Sequence, residues 1–154
     1  MDELDLRLHR VLKAPRNLVW ECWTTPAHMK HWFVPKPHEV TDIIMDLRPG
    51  GRFFTMMRVD GQDYPNDGSI LHVDPGRQLV FTDLLLADWK PLDAPGLGFT
   101  AILTLADHPE GTDYTAVARH RTPEARRTHA EMGFHDGWGT VATQLEAYAQ
   151  GLAR

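Results

Sequence analysis

TPEARRTHAEMGFHDGWGTVATQLEAYAQGL, residues 122–152, is the stretch that decides the fold. Its large apolar residues recur at steps of four and three, which places them along one face of an α-helix. These residues are Phe134, Trp138, Val141, Leu145, Tyr148 and Leu152. Thr122 fits an N-cap, and Pro123 fits the first helical position, where its missing N–H costs nothing. The stretch predicts one long C-terminal helix whose apolar face needs a covering surface.

Three glycines interrupt the middle of this predicted helix: Gly133, Gly137 and Gly139. Each costs about 1 kcal/mol relative to alanine in a helix interior, so their presence needs a reason. Either the helix bends there, or a strand or a ligand approaches so closely that a side chain would obstruct it. The pattern leaves tight packing against a strand and a ligand-facing surface as alternatives.

The chain before this helix shows the alternation of a β-sheet. Leu4, Leu6 and Leu8 alternate with charged residues, which predicts a half-buried strand over 4–13. Further strand-like runs are found at 39–47, 51–59, 68–74, 77–86, 98–106 and 113–121. Turns rich in Gly, Pro and Asp separate these runs at short intervals, which is typical of hairpins. The sheet is therefore predicted to be an antiparallel meander.

Two short helices are predicted after the first strand, over Pro15–Trp23 and Ala27–Trp32. A twisted meander of about seven strands curls, and the last helix carries the apolar stripe that can fill its concave face. The prediction is an α+β, helix-grip fold in which a curved antiparallel sheet wraps around the C-terminal helix. One domain is expected over 1–154, with residues 88–97 as an irregular loop whose Trp89 either forms part of a lid or packs on a rim.

Composition limits the classes of partner. The formal charge is −5 with scattered Lys and Arg, so a nucleic acid partner is not expected. No apolar run reaches the 18 residues of a membrane span. The acidic start and the single Cys22, which cannot form an internal disulfide, predict a cytoplasmic protein.

Four segments resemble the SRPBCC or START-type superfamily, most closely the branch named after the activator of the heat-shock chaperone ATPase. They are APRNLVWECWTTPAHMKHWFVP (14–35), DLRPGGRF (46–53), GSILHVDPGRQLVFT (68–82) and EMGFHDGWGTVATQLEAY (131–148). The resemblance extends from about Leu6 to Leu152. It implies a helix-grip fold with a cavity between sheet and long helix, often for an apolar or amphipathic small molecule, and it implies no particular reaction.

The sequence contains no recognisable motif for metal binding or for nucleophilic catalysis. His28 and His31 share a helical face but have no third ligand at zinc spacing, and His129 and His135 are six residues apart, so they are interpreted as solvated polar positions. Ser69, the only serine, is not in a nucleophile elbow. No metal and no cofactor are predicted.

Acid–base chemistry has one candidate pair. Strand parity places His120 on one face with Tyr114, Ala116 and Ala118, and places Asp83 with Leu79, Phe81 and Leu85. If these faces are concave, His120 and Asp83 lie in an apolar hollow where pKa values shift. The pair is interpreted as a proton-transfer pair, as ligand-orienting groups or as structural groups.

Apolar residues from the short helices, the sheet and the long helix are the predicted walls of the cavity, together with His120. The predicted ligand-binding set is Trp32, Phe33, Phe54, Met56, Phe81, Leu85, Phe99, Ala101, His120, Met132, Phe134 and Trp138. The inward face of 51–59 is not decided, because Phe53, Thr55 and Met57 are about as apolar as the alternate residues.

Three functional hypotheses follow. The first is a small cytoplasmic protein that binds an apolar or amphipathic small molecule. The second resembles the polyketide cyclases and dehydratases of the same superfamily, with His120 and Asp83 exchanging protons. The third is a chaperone-interacting module, for which the scattered charge offers no obvious docking patch. A homodimer is compatible with all three.

Overall fold

A curved antiparallel sheet and the C-terminal helices form the two layers of the molecule in a computed structural model, which describes residues 3–93 and 96–153. In chain order the strands are β1 (Asp5–Leu12), β2 (Glu39–Met45), β3 (Arg52–Val59), β4 (Gln62–Asp74), β5 (Gln78–Thr82), β6 (Leu85–Leu86), β7 (Lys90–Pro91), β8 (Phe99–His108) and β9 (Gly111–His120). The helices are α1 (Arg16–Thr24), α2 (Pro26–Met29), α3 (Pro123–Glu131) and α4 (Phe134–Leu152).

The main sheet has seven strands in the order β1-β9-β8-β5-β4-β3-β2, and every neighbouring pair is antiparallel. Pairing of β1 with β9 brings the start of the chain beside its last strand, with Leu6 opposite Ala118. β6 and β7 form a separate two-stranded ribbon. This arrangement confirms the predicted α+β, helix-grip fold.

Before α3, the predicted boundaries differ from the observed ones by three residues or more in three places. β4 begins at Gln62 instead of 68, because its first half pairs with β3 across the Asp60-Gly61 turn. The predicted run 77–86 is divided, since β5 ends at Thr82 and Leu85 belongs to the small ribbon. α2 ends at Met29 instead of Trp32.

The apolar face of α4 packs on the concave face of the sheet. Phe134, Val141 and Leu145 are buried, as their spacing predicts. Beneath the helix, Ala116 and Ala118 of β9 are buried and small, which leaves room for the aromatic side chains around α1. Among these, the Nε1–H of Trp23 donates to the hydroxyl of Tyr114 at 3.2 Å. The core between the sheet and the helices thus combines aliphatic and aromatic side chains.

The single helix predicted over 122–152 is two helices, which corrects that prediction. Thr122 does cap the first helix, because its hydroxyl accepts from the backbone N–H of Ala125 at 3.1 Å. The break falls at Gly133, whose φ of +93° lies in the left-handed region that glycine tolerates best. α4 then begins at Phe134.

The other two helical glycines have different surroundings. A methyl group at Gly139 would lie 2.9 Å from Nη2 of Arg10 on β1, so a strand side chain occupies that space. A methyl group at Gly137 would meet nothing within 4 Å. Gly133 therefore allows the helix break, Gly137 faces open space, and Gly139 accommodates the close approach of Arg10.

Trp89 packs on the turn between β2 and β3, which matches the rim alternative for this residue. Its ring lies over Gly50, and the N–H of Asp88 donates to the carbonyl of Gly50 at 2.7 Å. Residues 94 and 95 of the predicted loop lie outside the described residues. None of the helices in the described ranges is both long and apolar enough to cross a membrane.

Gly133→Ala is expected to destabilise the protein by about 1–2 kcal/mol, because an alanine side chain is strained in the left-handed region. Gly137→Ala is the matched control. It is expected to stabilise the protein by up to about 1 kcal/mol, since its added methyl group has room and alanine favours the helix. Urea unfolding followed by circular dichroism measures both changes, and equal effects of the two substitutions would contradict the assigned break.

Candidate functional site

A cavity of about 440 Å³ lies between the sheet and the helices, beside the junction of α3 and α4. Aromatic side chains dominate its wall. They are Trp23, Phe33, Phe53, Phe81, Phe99, Phe134 and Trp138. The volume lies within the range of small-molecule sites, and an aromatic lining with few polar groups is typical of them.

Local structure explains how these rings reach the cavity. Phe134 and Trp138 are one helical turn apart on α4, and their rings stack with centroids 5.4 Å apart. On the sheet, Phe53 of β3 and Phe81 of β5 meet edge to face at 4.8 Å. Gly137 lies on the cavity wall between the two α4 aromatics, so the glycine leaves space where a side chain would project.

The polar groups of the wall mostly have partners within the protein. Both carboxylate oxygens of Asp83 accept backbone N–H groups, from Phe99 at 2.9 Å and from Gly98 at 3.3 Å. Asp67 pairs with Arg52 through two hydrogen bonds of 3.1 Å each. The hydroxyl of Thr82 donates to the carbonyl of Phe99 at 3.1 Å. These groups hold neighbouring strands and turns in place.

A buried pair of histidines lies behind one end of the cavity. Nδ1 of His120 is 2.9 Å from the carbonyl oxygen of Leu4, and Nε2 of His120 is 2.8 Å from Nδ1 of His129. His129 itself lies on the cavity wall. α3 holds it there, because Arg126 on the same helix donates from Nε to the backbone carbonyl of Asp5 at 2.8 Å. Residues from three parts of the chain therefore fix the pair.

Burial and the neighbouring His120 lower the pKa of His129 to about 4, with burial the larger cause. At neutral pH the ring of His129 is therefore uncharged. Its flanks are apolar, with ring centroids of Phe99 at 5.0 Å and of Phe134 at 5.2 Å. This places an uncharged imidazole in an aromatic setting.

Six of the twelve predicted ligand-binding residues line the cavity. They are Phe33, Phe81, Phe99, Met132, Phe134 and Trp138. Asp83, one of the two candidate catalytic residues, also lies on the wall. Met132 is 68% exposed and sits at the helix break, so it is at the mouth of the cavity.

The other six predicted residues do not line this cavity. Phe54 and Met56 project from the opposite face of β3, where the guanidinium of Arg52 covers the Phe54 ring at 4.8 Å. Leu85 belongs to β6, which is part of the small two-stranded ribbon and not of the main sheet. The remaining three, Trp32, Ala101 and His120, are buried behind the wall. Because His120 faces His129 and a backbone carbonyl, and Asp83 faces backbone N–H groups, their hydrogen bonds do not join them as a proton-transfer pair.

Several wall residues were not predicted. They include Trp23, Val34, Pro35, Phe53, Thr55, Met57, Asn66, Asp67, Gly68, Thr82, Leu97, His129, Gly133, Gly137 and Val141. Phe53, Thr55 and Met57 belong to the alternative face of β3, which strand parity alone could not select. His129 corrects the interpretation as a solvated polar position, because it is 7% exposed. The sequence signal that could have indicated this burial was Gly133, four residues later, which ends the helix that carries His129.

His28 and His31, which share a predicted helical face, both contact Tyr148 on α4. Nδ1 of His28 lies 2.8 Å from the hydroxyl of Tyr148, and His31 stacks on the ring of Tyr148 with centroids 5.0 Å apart. Within residues 3–93 and 96–153, no cluster of three or more His, Cys, Asp or Glu side chains is arranged to hold a metal ion.

A larger open groove of about 720 Å³ runs along the opposite end of the sheet. Its wall carries charged groups that bond to each other or to backbone. Arg16 donates to Asp107 and to the carbonyl of Gly76, each at 2.9 Å. The smaller aromatic cavity is therefore the better candidate for a small-molecule site.

Solved structures with the same fold are known from several bacteria. A crystal structure of a protein from Nitrosomonas europaea is 44% identical, with a TM-score of 0.95 and 99% of each chain covered. One from Mycobacterium smegmatis is 29% identical, with a TM-score of 0.78, and the alignment covers 95% of this chain and 90% of that one. No curated protein matched the chain.

A solution structure of an AHSA1-like protein from Aeromonas hydrophila is 19% identical, with a TM-score of 0.72, and the match covers 97% of this chain and 94% of that one. At that identity it supports the fold alone. The family described as Activator of Hsp90 ATPase homolog 1-like protein matches residues 13–150. The cavity and the helix-grip architecture described above thus belong to a member of the Activator of Hsp90 ATPase homolog 1-like family.

Proposed function

We propose that the protein binds an apolar or amphipathic small molecule in the cavity between the sheet and α4. The observation that carries the proposal is a cavity of about 440 Å³ whose wall is built largely from aromatic rings. An occupant that buries roughly 200 Å² of apolar surface gains about 5 kcal/mol from leaving water, before the cost of association.

The shape of the wall favours a flat, ring-containing ligand. Phe134 and Trp138 present stacked faces from α4, while Phe53 and Phe81 present an edge-to-face pair from the sheet. Aromatic ligands gain from offset-stacked and edge-to-face contacts beyond the burial of area. Met57 and Met132 add flexible side chains that adapt to the outline of the ligand.

Both candidate catalytic residues act as positioning residues. Asp83 holds the backbone at Gly98 and Phe99, and His120 holds His129. A cyclase-like reaction through Asp83 and His120 is therefore not part of the proposal. A chaperone interaction is a separate hypothesis, because it would use the outer surface of the protein and not this cavity.

We also propose a single domain in a reducing, cytoplasmic setting. Cys22 is buried, and burial raises the pKa of its thiol to about 11, so the residue is an unreactive part of the core. Cys22 is a residue of α1, and Val19 and Trp23 of the same helix are buried as well.

Ring-containing apolar compounds are expected to raise the melting temperature of the purified protein, since a ligand that binds only the folded state stabilises it. A panel of naphthalene derivatives and medium-chain fatty acids at about 1 mM tests this by thermal shift, where compounds with dissociation constants near 10 μM give roughly 2.7 kcal/mol. Native mass spectrometry measures the stoichiometry, which is expected to be one to one. If no compound shifts the melting temperature and only the unliganded mass is found, the proposal is wrong.

Gly137→Leu is expected to weaken binding of the best panel compound by at least about tenfold, because the new side chain extends into the space that the compound fills. Ala147→Leu, on the exposed face of the same helix, is the matched control and is expected to leave binding unchanged. Quenching of tryptophan fluorescence is a suitable readout, since Trp23 and Trp138 line the cavity. Equal affinities for both variants would place the bound compound outside this cavity.

A further inference from the structure

The histidine pair gives the cavity one polar group of defined hydrogen-bonding character. The carbonyl oxygen of Leu4 can only accept, so Nδ1 of His120 carries the proton of their 2.9 Å hydrogen bond. In an uncharged His120, Nε2 is then the acceptor. With His120 in that state, Nδ1 of His129, 2.8 Å away, donates to it. The carbonyl of Leu4 and an uncharged His120 together set the direction of the chain.

The same logic determines the second nitrogen of His129. An uncharged imidazole with a proton on Nδ1 has a lone pair on Nε2. The ring is uncharged at neutral pH because burial and the adjacent His120 lower its pKa to about 4. His129 is thus held in one tautomer by His120, which acts as a positioning residue.

Nε2 of His129 is available to a ligand. Within the described residues it makes no hydrogen bond, and it is not sealed from solvent, since Trp32 Nε1 is the only side-chain polar atom there that is both sealed and without a partner. The residue lies on the cavity wall between Phe99 and Phe134. An accessible acceptor therefore sits at the aromatic end of the cavity.

Other polar groups on the wall have other constraints. The carboxylate oxygens of Asp83 each accept a backbone N–H and each retain a lone pair, so this group can also accept from a donor. The hydroxyl of Thr55 can rotate to donate or to accept, so it distinguishes poorly between ligands. His129 is the wall group whose role is set in advance by a hydrogen-bond chain.

We propose that His129 presents a hydrogen-bond-accepting Nε2 to the cavity and thereby selects ligands whose apolar ring carries a hydroxyl or N–H donor. This rests on the proposed function, namely that the cavity binds a small molecule. A ligand with only an ether or carbonyl oxygen at the same place leaves Nε2 without a donor and brings two acceptors together. Phenol-like and indole-like compounds are the chemical class that satisfies both the rings and the imidazole.

The tautomer is tested first on the unliganded protein. Long-range ¹H–¹⁵N correlation spectra of ¹⁵N-labelled protein at pH 7 distinguish a protonated imidazole nitrogen from an unprotonated one. The expected result is Nδ1–H with an unprotonated Nε2 for both His120 and His129. His129→Asn and His120→Asn assign the signals. A proton on Nε2 of His129 would overturn the inference without affecting the proposed function.

Ligand selection is tested with 2-naphthol and 2-methoxynaphthalene, which have the same ring system and differ in the hydroxyl donor. Binding is measured by tryptophan fluorescence and calorimetry for the wild type and for His129→Asn. The asparagine amide can take the place of Nδ1 and keep the bond to His120, but it has no atom at the position of Nε2. The ratio of the two dissociation constants is expected to shift by about fivefold to tenfold toward the methoxy compound in this variant.

His135→Asn is the matched control, since His135 is exposed on the next helix and lies six residues away. It is expected to keep the wild-type ratio. If both probes bind and His129→Asn leaves the ratio unchanged, the inference is wrong while the cavity proposal stands. If neither probe nor any panel compound binds, both fail together.

Discussion

The packing of α4 against the concave face of the sheet is the interaction on which the rest of the structure depends. Phe134, Val141 and Leu145 bury one face of the helix, and burial of such side chains is worth about 1.5–3 kcal/mol each. The sheet curves around this helix, and aliphatic and aromatic side chains together fill most of the interior. Where the filling is incomplete, beside Gly137, the cavity remains.

The helix break at Gly133 places side chains of both α3 and α4 at one end of the cavity. A continuous helix would carry 123–131 along the axis of α4. The left-handed residue instead lets α3 lie against β1 and β9, where His129 meets His120. Phe134 begins the next helix and packs edge to face on His129. One backbone conformation therefore places an imidazole and two aromatic rings at the same end of the cavity.

The polar groups around the cavity fall into two classes, those whose hydrogen bonds are made within the protein and one that keeps an unengaged atom. Asp83, Asp67 and Thr82 are engaged by backbone or by an arginine, so they stabilise the wall. His129 has one nitrogen engaged, and the other faces outward from the pair. A buried polar group that is left without a partner costs free energy, which gives an unengaged acceptor influence over what the cavity accommodates.

Periodicity in the sequence was sufficient for the element types and for most of the core. The stripe from Phe134 to Leu152 predicts an amphipathic helix, and the alternation on 113–121 predicts the buried face of β9. Both signals are local, because side-chain direction within an element follows from its geometry. The family resemblance agreed with the same reading, as residues 13–150 match the family.

Periodicity failed where two choices were equally apolar or where the chain changed direction. On β3, Phe53 and Phe54 offered similar faces, and the inward one was decided by packing against Phe81 of β5. His129 was assigned to solvent because a regular helix was assumed through Gly133. Sequence alone thus determined the strands, the helices and an apolar interior, since these arise from neighbours along the chain. The tertiary structure decided which face of β3 is inside and that His129 is buried against His120, because both depend on how strands and helices far apart in sequence pack together.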